Sequence, residues 1–477
     1  MSRQIITIAK DEWRYWFRTK LAITVLIFTV ILTLASVVIT AMTVDADNHS
    51  RHILQSESEH AFEDQPDRHP HRMVHFGHYL FRTPTPLGRI DPGIDTYTGT
   101  AIFLEGHRQN GATFSGQQQS TGLNWLGKLS PATVLQILAP LLLIVMGYSV
   151  ITREKEAGTF TFLKVQGVSP LTLIAGKTLA LFMAAGVVLL PLALGALYAT
   201  FQGAGIVAAL SFLAGYALYL MVWVALVMLV SVLATTNRSS FGVLIFSWIA
   251  ICLVLPRVSV SAATMAVSSP GKLETDFAVL EELRTLGDGH DDSDPAFKKF
   301  KSDLLAKYNV ESIEDLPVNF KGVVAQKSEA DLTAVINRFA SQSMNEEQAQ
   351  ANVARQFGWI SPTIAIQTLS MKLAATDLEN YHRFLKEAEA VRYDFVQSLN
   401  KLHAEALSYA DDANKYQSEA NRQKAKVDSA NWKMLEAYTF EPESVTQRLA
   451  SGSTAFFQLG VLIVVLFGAV FLAGRRA

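Results

Sequence analysis

Residues Leu21–Met42 read LAITVLIFTVILTLASVVITAM, a run with no charged side chain. As an α-helix it is long enough to cross the roughly 30 Å hydrocarbon core of a bilayer. Five more stretches, 132–150, 171–200, 205–234, 241–257 and 453–473, repeat that reading. The 477-residue chain is 50% hydrophobic and 18% charged, with a mean hydropathy of +0.22. These values exclude a single soluble domain and predict a predominantly α, six-span polytopic membrane protein. The lone cysteine, Cys252, lies in the fifth span, so the chain has neither an internal disulfide nor a cysteine metal cluster.

The net charge of −2 hides an asymmetry. Residues 1–20, 151–177, 234–240 and 474–477 hold 12 Lys and Arg against 4 Asp and Glu, while 43–131 and 257–452 hold 29 against 39. By the positive-inside rule the first set is cytoplasmic, which puts both termini inside and two large segments outside. The first span follows a polar stretch, 1–20, rich in bulky aromatics and has no small-residue cleavage site behind it, so it reads as an anchor rather than a signal peptide. The run RQIITIAKDEWRYWFRTK at 3–20 sets Ile5, Ile6, Ala9, Trp13, Trp16 and Phe17 on one helical face and Lys10, Asp11, Arg14 and Arg18 on the other. That pattern predicts an amphipathic helix lying on membrane lipid; the alternative is a plain basic flank. Under either reading its role is orientation.

The first outside segment, 43–131, mixes Pro and Gly signals with short apolar alternations such as Thr98–Leu104, predicting loops with short strands or helices. The second, 258–452, reads mostly helical, with no Pro or Gly from Thr363 to Glu441. Within it Leu378, Tyr381, Leu385, Ala388, Arg392, Phe395, Leu399, Leu402 and Ala406 step by three and four, apolar except at Arg392. This is the seam of a long amphipathic helix, expected in a hairpin or arm standing off the membrane. Lys386, Glu387 and Glu389 are expected on its solvated face.

No acidic or basic residue lies deep in a span; Lys177 and Arg257 sit near span ends, where both are expected to snorkel. This speaks against an ion-coupled transporter. A G-x-x-x-x-G-K-[ST] nucleotide loop is absent as well, since SSPGK at 268–272 is too short and lies outside. The loop after the second span reads TREKEAGTFTFLKVQGVSPLTLIAGKTLA, Thr152–Ala180. Arg153-Glu154-Lys155-Glu156 is a dense alternating-charge turn; Gly158 and Thr159 follow, then an apolar-faced helix through Phe160, Phe162, Leu163 and Val165. Such a segment, 151–170, suits a short surface helix that docks another protein, or simply a basic loop that sets topology.

The run R-E-K-E-x-G-T, then G-V-S-P and a later G-K, resembles the coupling-helix signature of ABC-2 type permeases. The resemblance implies a membrane subunit whose loop, through Arg153, Glu154, Lys155, Glu156, Gly158 and Thr159, couples to two copies of a separate cytoplasmic ABC ATPase. That ATPase would carry the ATP and Mg; no cofactor and no catalytic residue is expected in this chain, and no nucleic acid. The start, with Trp13, Arg14, Trp16, Phe17 and Arg18, is similar to that family's connecting helix. Two further stretches, HFGHYLFRTPTPLGRIDPGIDTYTGTAIFLEGHRQN (His75–Asn110) and WISPTIAIQTLSMKLAATDLENYHRFLKEAE (Trp359–Glu389), resemble the outside signatures of a branch with a large periplasmic domain of unknown function. That branch is similar to permeases of multicopper-enzyme maturation and gliding motility. The resemblance implies a cell inner (cytoplasmic) membrane location and pairing with an identical or homologous permease. Ala375 departs from the glycine expected in LAATD; read as a position inside a helix, alanine there is harmless. Small-residue clusters, Ala184-Ala185-Gly186 and Gly195-Ala196, suit close helix packing at a dimer axis or are ordinary membrane-helix composition.

All eleven histidines lie outside, eight of them in 43–131. The spacings of His69 with His71, and of His75 with His78, are compatible with copper, zinc or nickel. The outside face has no cysteine, and hydrogen-bonded or pH-sensing histidines are the competing readings. The functional expectation is ATP-driven export, with a second reading in which ATP hydrolysis moves the outside arms against a periplasmic partner and nothing crosses. A membrane-embedded hydrolase would need paired catalytic groups near the spans, and the sequence offers none.

Overall fold

The computed structural model describes residues 2–113, 129–287, 294–434 and 438–476; the parts of the two predicted outside segments at 114–128, 288–293 and 435–437 lie outside the described residues. The chain is predominantly helical, and among the described residues six helices are long and apolar enough to cross a membrane. These spans are Leu21–Met42, Pro131–Glu156, Pro170–Phe201, Ile206–Leu233, Asn237–Ala266 and Val445–Arg476. It is a multi-pass membrane protein. Several helices outrun the apolar windows that mark them, since a helix stops at a breaking residue rather than at the hydrocarbon edge. The first is one continuous helix over Leu21–Glu63, about 64 Å long. Loops and short elements were expected from residue 43, but 43–63 contains no Pro or Gly to interrupt the helix.

The remaining elements follow in chain order. Helix α1 (Ser2–Thr19) precedes the first span, and α2 (Pro70–Phe76) follows the long helix. Strands β1 (His78–Phe81) and β2 (Ala101–Leu104) form an antiparallel pair with His78 opposite Leu104. Helix α3 (Thr159–Val165) lies between the second and third spans. Then come α4 (Phe320–Gln356), α5 (Pro362–Ala374) and α6 (Leu378–Ala406). Two sides result: an α1 side, and a far side that holds α2, the strands and α4 to α6.

Helices α4 and α6 run antiparallel, since Arg355 meets Glu379, Glu329 meets Arg392, and the Asn319 amide donates to the Ala404 carbonyl. This hairpin does not simply stand off the membrane. Its connecting helix α5 is buried in the same apolar core as the spans, through Ala365, Ile366, Leu369 and Leu373. Gly215 of the fourth span admits it: a Cβ there would sit 2.7 Å from Leu369. Ala375 is not inside a helix. It ends α5 in the left-handed region at φ 55°, the position that favours glycine. Two π-helical turns, Val134–Leu138 and Ile249–Val254, face the same place. There Gln136 donates to Tyr216 Oη (2.9 Å), Tyr216 meets Ser370 (3.0 Å), and Cys252 meets Thr363 at 3.4 Å. Asp91 enters this buried network through Ser370, and burial pushes its carboxyl up from the usual range. Of the small-residue clusters, Gly195 packs against Val37 of the first span within this chain, while Gly186 has open space beside it.

Candidate functional site: a charged junction and a histidine-rich shell

The α1 side is organised by the four consecutive charged residues that end the second span, and each fastens to a different element. Arg153 Nη2 meets Glu12 Oε2 of α1 at 2.8 Å, with its guanidinium 3.7 Å from the centroid of the Tyr15 ring. Glu154 accepts from Thr159 Oγ1 (2.5 Å) and from Lys177 Nζ of the third span (3.2 Å). Lys155 Nζ donates to the Val232 and Ala234 carbonyls at the end of the fourth span, groups that a helix leaves without intrahelical partners. Glu156 accepts from the Asn237 amide at 2.8 Å, where the fifth span begins and a negative charge is favoured. Gly158, at φ 70°, turns the chain between these ties and α3. The apolar residues of α3 divide: Phe160 is buried, whereas Phe162 (61% exposed) and Val165 (82% exposed) project.

Glu12 is the hub of the junction and the residue the sequence reading passed over. It is fully buried and carries both Arg153 and Lys177, the latter at 2.5 Å. Lys177 therefore does not snorkel; only 3% of its side chain is exposed. The available signal was a carboxylate on the apolar stripe, three residues after Ala9 and four before Trp16. That face packs on protein as well as facing outward. Ile8 lies so near Gly176 that a Cβ there would sit 2.6 Å away, and Trp16 Nε1 donates to the Met146 carbonyl at 3.1 Å. Trp16 is buried and Trp13 half-buried, while Ile6, Arg14, Phe17 and Arg18 are exposed. Helix α1 is thus a structural member of the junction in addition to an amphipathic helix.

On the far side a second buried network centres on Arg392, which is 1% exposed. It binds Glu389 through Nε and Nη2, both at 2.8 Å, Glu329 through Nη1 at 2.6 Å, and the Glu105 carbonyl at 3.2 Å. Glu389, expected on a solvated face, is buried here because the arginine in the seam needs a counter-charge; Lys386 is exposed as expected. Burial alone would raise the Glu329 carboxyl, but His107 and Arg392 hold it down at about 2. A cavity of about 300 Å³ opens beside this network, with Phe103, Met344, His382, Glu389 and Arg392 among its walls.

The four histidines with metal-compatible spacings, His69, His71, His75 and His78, do not converge on one point. His69 caps α2, and its Nε2 meets Asp412 at 3.0 Å; His403 meets the other Asp412 oxygen at 2.7 Å. His71 and His75, one turn apart on α2, instead face His107 from beyond β2. His78 lies past the left-handed Gly77, buried between the rings of Phe62 and Phe395, and burial lowers its imidazole to about 4.

Burial of His78 in its neutral form makes the stability of the fold depend on pH. Between about pH 4 and 6.5 the unfolded chain binds a proton that the folded chain refuses, so this contribution is intact above 6.5 and lost on acidification. At pH 5 the loss is about 2 kcal/mol. His78→Phe, which suits the aromatic surroundings, is expected to remove that part of the acid-induced drop in Tm between pH 7 and 5. An unchanged drop assigns the acid sensitivity elsewhere.

No curated protein matches the chain. Residues 272–441 match the model of a domain of unknown function, DUF3526. The match spans about a third of the chain, holds α4, α5 and α6 with Glu329, Glu389 and Arg392, and contains the Trp359–Glu389 stretch but not His75–Asn110.

Proposed function

We propose that this chain is the membrane subunit of an ABC-2 type, ATP-driven transporter, an exporter that pairs with an identical or homologous permease and binds two copies of a separate cytoplasmic ATPase. On this reading the chain hydrolyses nothing itself, the α1 side and both termini are cytoplasmic, and the far side is periplasmic in an inner membrane. The carrying observation is the loop at 153–165. The charges of Arg153 to Glu156 are consumed in ties to α1 and to the third, fourth and fifth spans, while Phe162 and Val165 stand exposed beyond them. A push on that apolar tip reaches four membrane elements at once. Arg153 to Glu156 are then transmission residues, and the docking contact belongs to α3.

The test is co-purification with an ABC ATPase, to be sought in the adjacent reading frames, followed by ATP hydrolysis in nanodiscs. Phe162→Asp with Val165→Asp is expected to abolish ATPase capture while the unfolding free energy stays within about 1 kcal/mol of the parent, as exposed substitutions do. Capture unaffected by the pair removes α3 as the docking element.

A second reading, in which the complex moves its far-side arms against a periplasmic partner without translocation, has its own support. The first helix continues unbroken to Glu63, and α5 wedges the far-side hairpin into the span core, so far-side elements are joined directly to the membrane bundle. Hydrolysis that responds to a far-side partner but moves no solute in sealed vesicles favours this reading.

A further inference from the structure

We infer that His71, His75 and His107 form a far-side site for a divalent transition-metal cation of the zinc class. His71 and His75 are at i and i+4 of α2, so both side chains leave the same face. Their Nε2 atoms are 3.3 Å apart. A tetrahedral zinc with bonds of 2.0–2.1 Å has ligand nitrogens separated by about 3.3–3.4 Å. The three donor atoms, one from each ring, all lie within 4.8 Å of one another.

His107 is built into this position. The Gly106 amide donates to the Val74 carbonyl at 3.0 Å, which pins the strand end to α2; a Cβ on Gly106 would collide with the Val74 side chain at 2.1 Å. The next residue, His107, then adopts φ 67°, a conformation that a non-glycine residue holds only when its surroundings impose it. What imposes it is Glu329, fully buried, whose Oε2 takes the His107 backbone N–H and lies 3.1 Å from Nδ1. A carboxylate against one ring nitrogen, as Glu329 is against Nδ1, is the arrangement that orients metal-bound imidazoles generally. Arg392 holds Glu329 in turn.

Three imidazoles and no carboxylate in the inner set select zinc, copper or nickel over calcium or magnesium, which take oxygen. A tetrahedral ion held by these three imidazoles would take a fourth ligand, water or a group from a partner. A bound ion would staple residues 70–107 to α4 through His107 and Glu329. The neighbouring His69, His403 and Asp412 trio differs, since Asp412 also takes Lys415 at 2.6 Å and Asn319 at 3.2 Å. A cation at that carboxylate would face an ammonium already seated there.

Zinc is the probe for titration of the purified full chain in nanodiscs, with the visible spectrum of the Co²⁺-loaded chain as a second reading. The expected result is one ion per chain, a tetrahedral Co²⁺ spectrum, and at least a tenfold weaker Kd in each of His71→Gln, His75→Gln and His107→Gln. His52→Gln, an exposed control, should leave Kd unchanged. Thermal unfolding of each variant without metal shows that it folds. The inference is overturned if the triple variant folds and still binds one zinc with unchanged Kd, or if binding follows His69→Gln and His403→Gln instead.

Discussion

Arg392→Met is expected to destabilise the far-side hairpin by about 3–5 kcal/mol, the cost of removing one partner from a buried ion network. The arginine is the only cation bonded to both Glu329 and Glu389 among the described contacts, and those carboxylates are 0% and 5% exposed. Methionine supplies similar apolar volume, so the loss reports charge rather than a cavity. The companion variant, Arg392→Met with Glu329→Gln and Glu389→Gln, leaves no buried charge at the hub and is expected to recover more than half of the loss. Denaturant unfolding of the full chain in nanodiscs, followed by protease cutting between residues 258 and 452, measures both. A single variant within 1 kcal/mol of the parent would mean that water reaches the carboxylates and that the network does not organise α4 against α6.

The second large effect is expected at the opposite side of the molecule. Glu12→Gln keeps the shape of the side chain but takes the charge from the position that Arg153 and Lys177 share. Lys177, 3% exposed, then depends on Glu154 alone, and a cost of about 3 kcal/mol follows. Lys177→Met in the same chain should restore much of it, and the Glu12–Lys177 double-mutant cycle should return a coupling of about 2 kcal/mol. A coupling under about 0.5 kcal/mol would contradict a buried pair. On the transporter reading the Glu12 variant still captures ATPase through α3, but its hydrolysis no longer responds to the membrane side. That split separates transmission from docking, which Phe162 and Val165 report.

Much of the architecture is legible in local patterns. Six apolar runs mark six spans because a bilayer demands about twenty apolar residues per crossing, whatever the rest of the chain does. The three-and-four step from Leu378 to Ala406 marks α6 for the same local reason, and Arg392, the one charge in that seam, already signals a buried partner. Ala375 is not legible in this way, because helix propensity describes helix interiors and a reversal before Asp377 places this residue in the left-handed region.

The charged loop shows where the line falls. Its residues Arg153 to Glu156 can be singled out by density, yet their partners lie 141, 77 and 81 positions away for Arg153, Lys155 and Glu156, beyond any spacing rule. The histidines behave alike. His71 and His75 are paired by helical period, but Gly77 sends His78 into an aromatic core and the β1–β2 pairing brings His107 back over α2.

The sequence by itself thus determined the helical class, the six crossings and the identity of the charged loop, because periodicity and transfer free energy act residue by residue. Only the tertiary structure decided that Glu12 is the hub of that loop, that α5 belongs to the membrane core, and which three imidazoles meet. Each of those facts requires two distant segments to approach, and the energy that holds them is gained only once burial has removed the competing water.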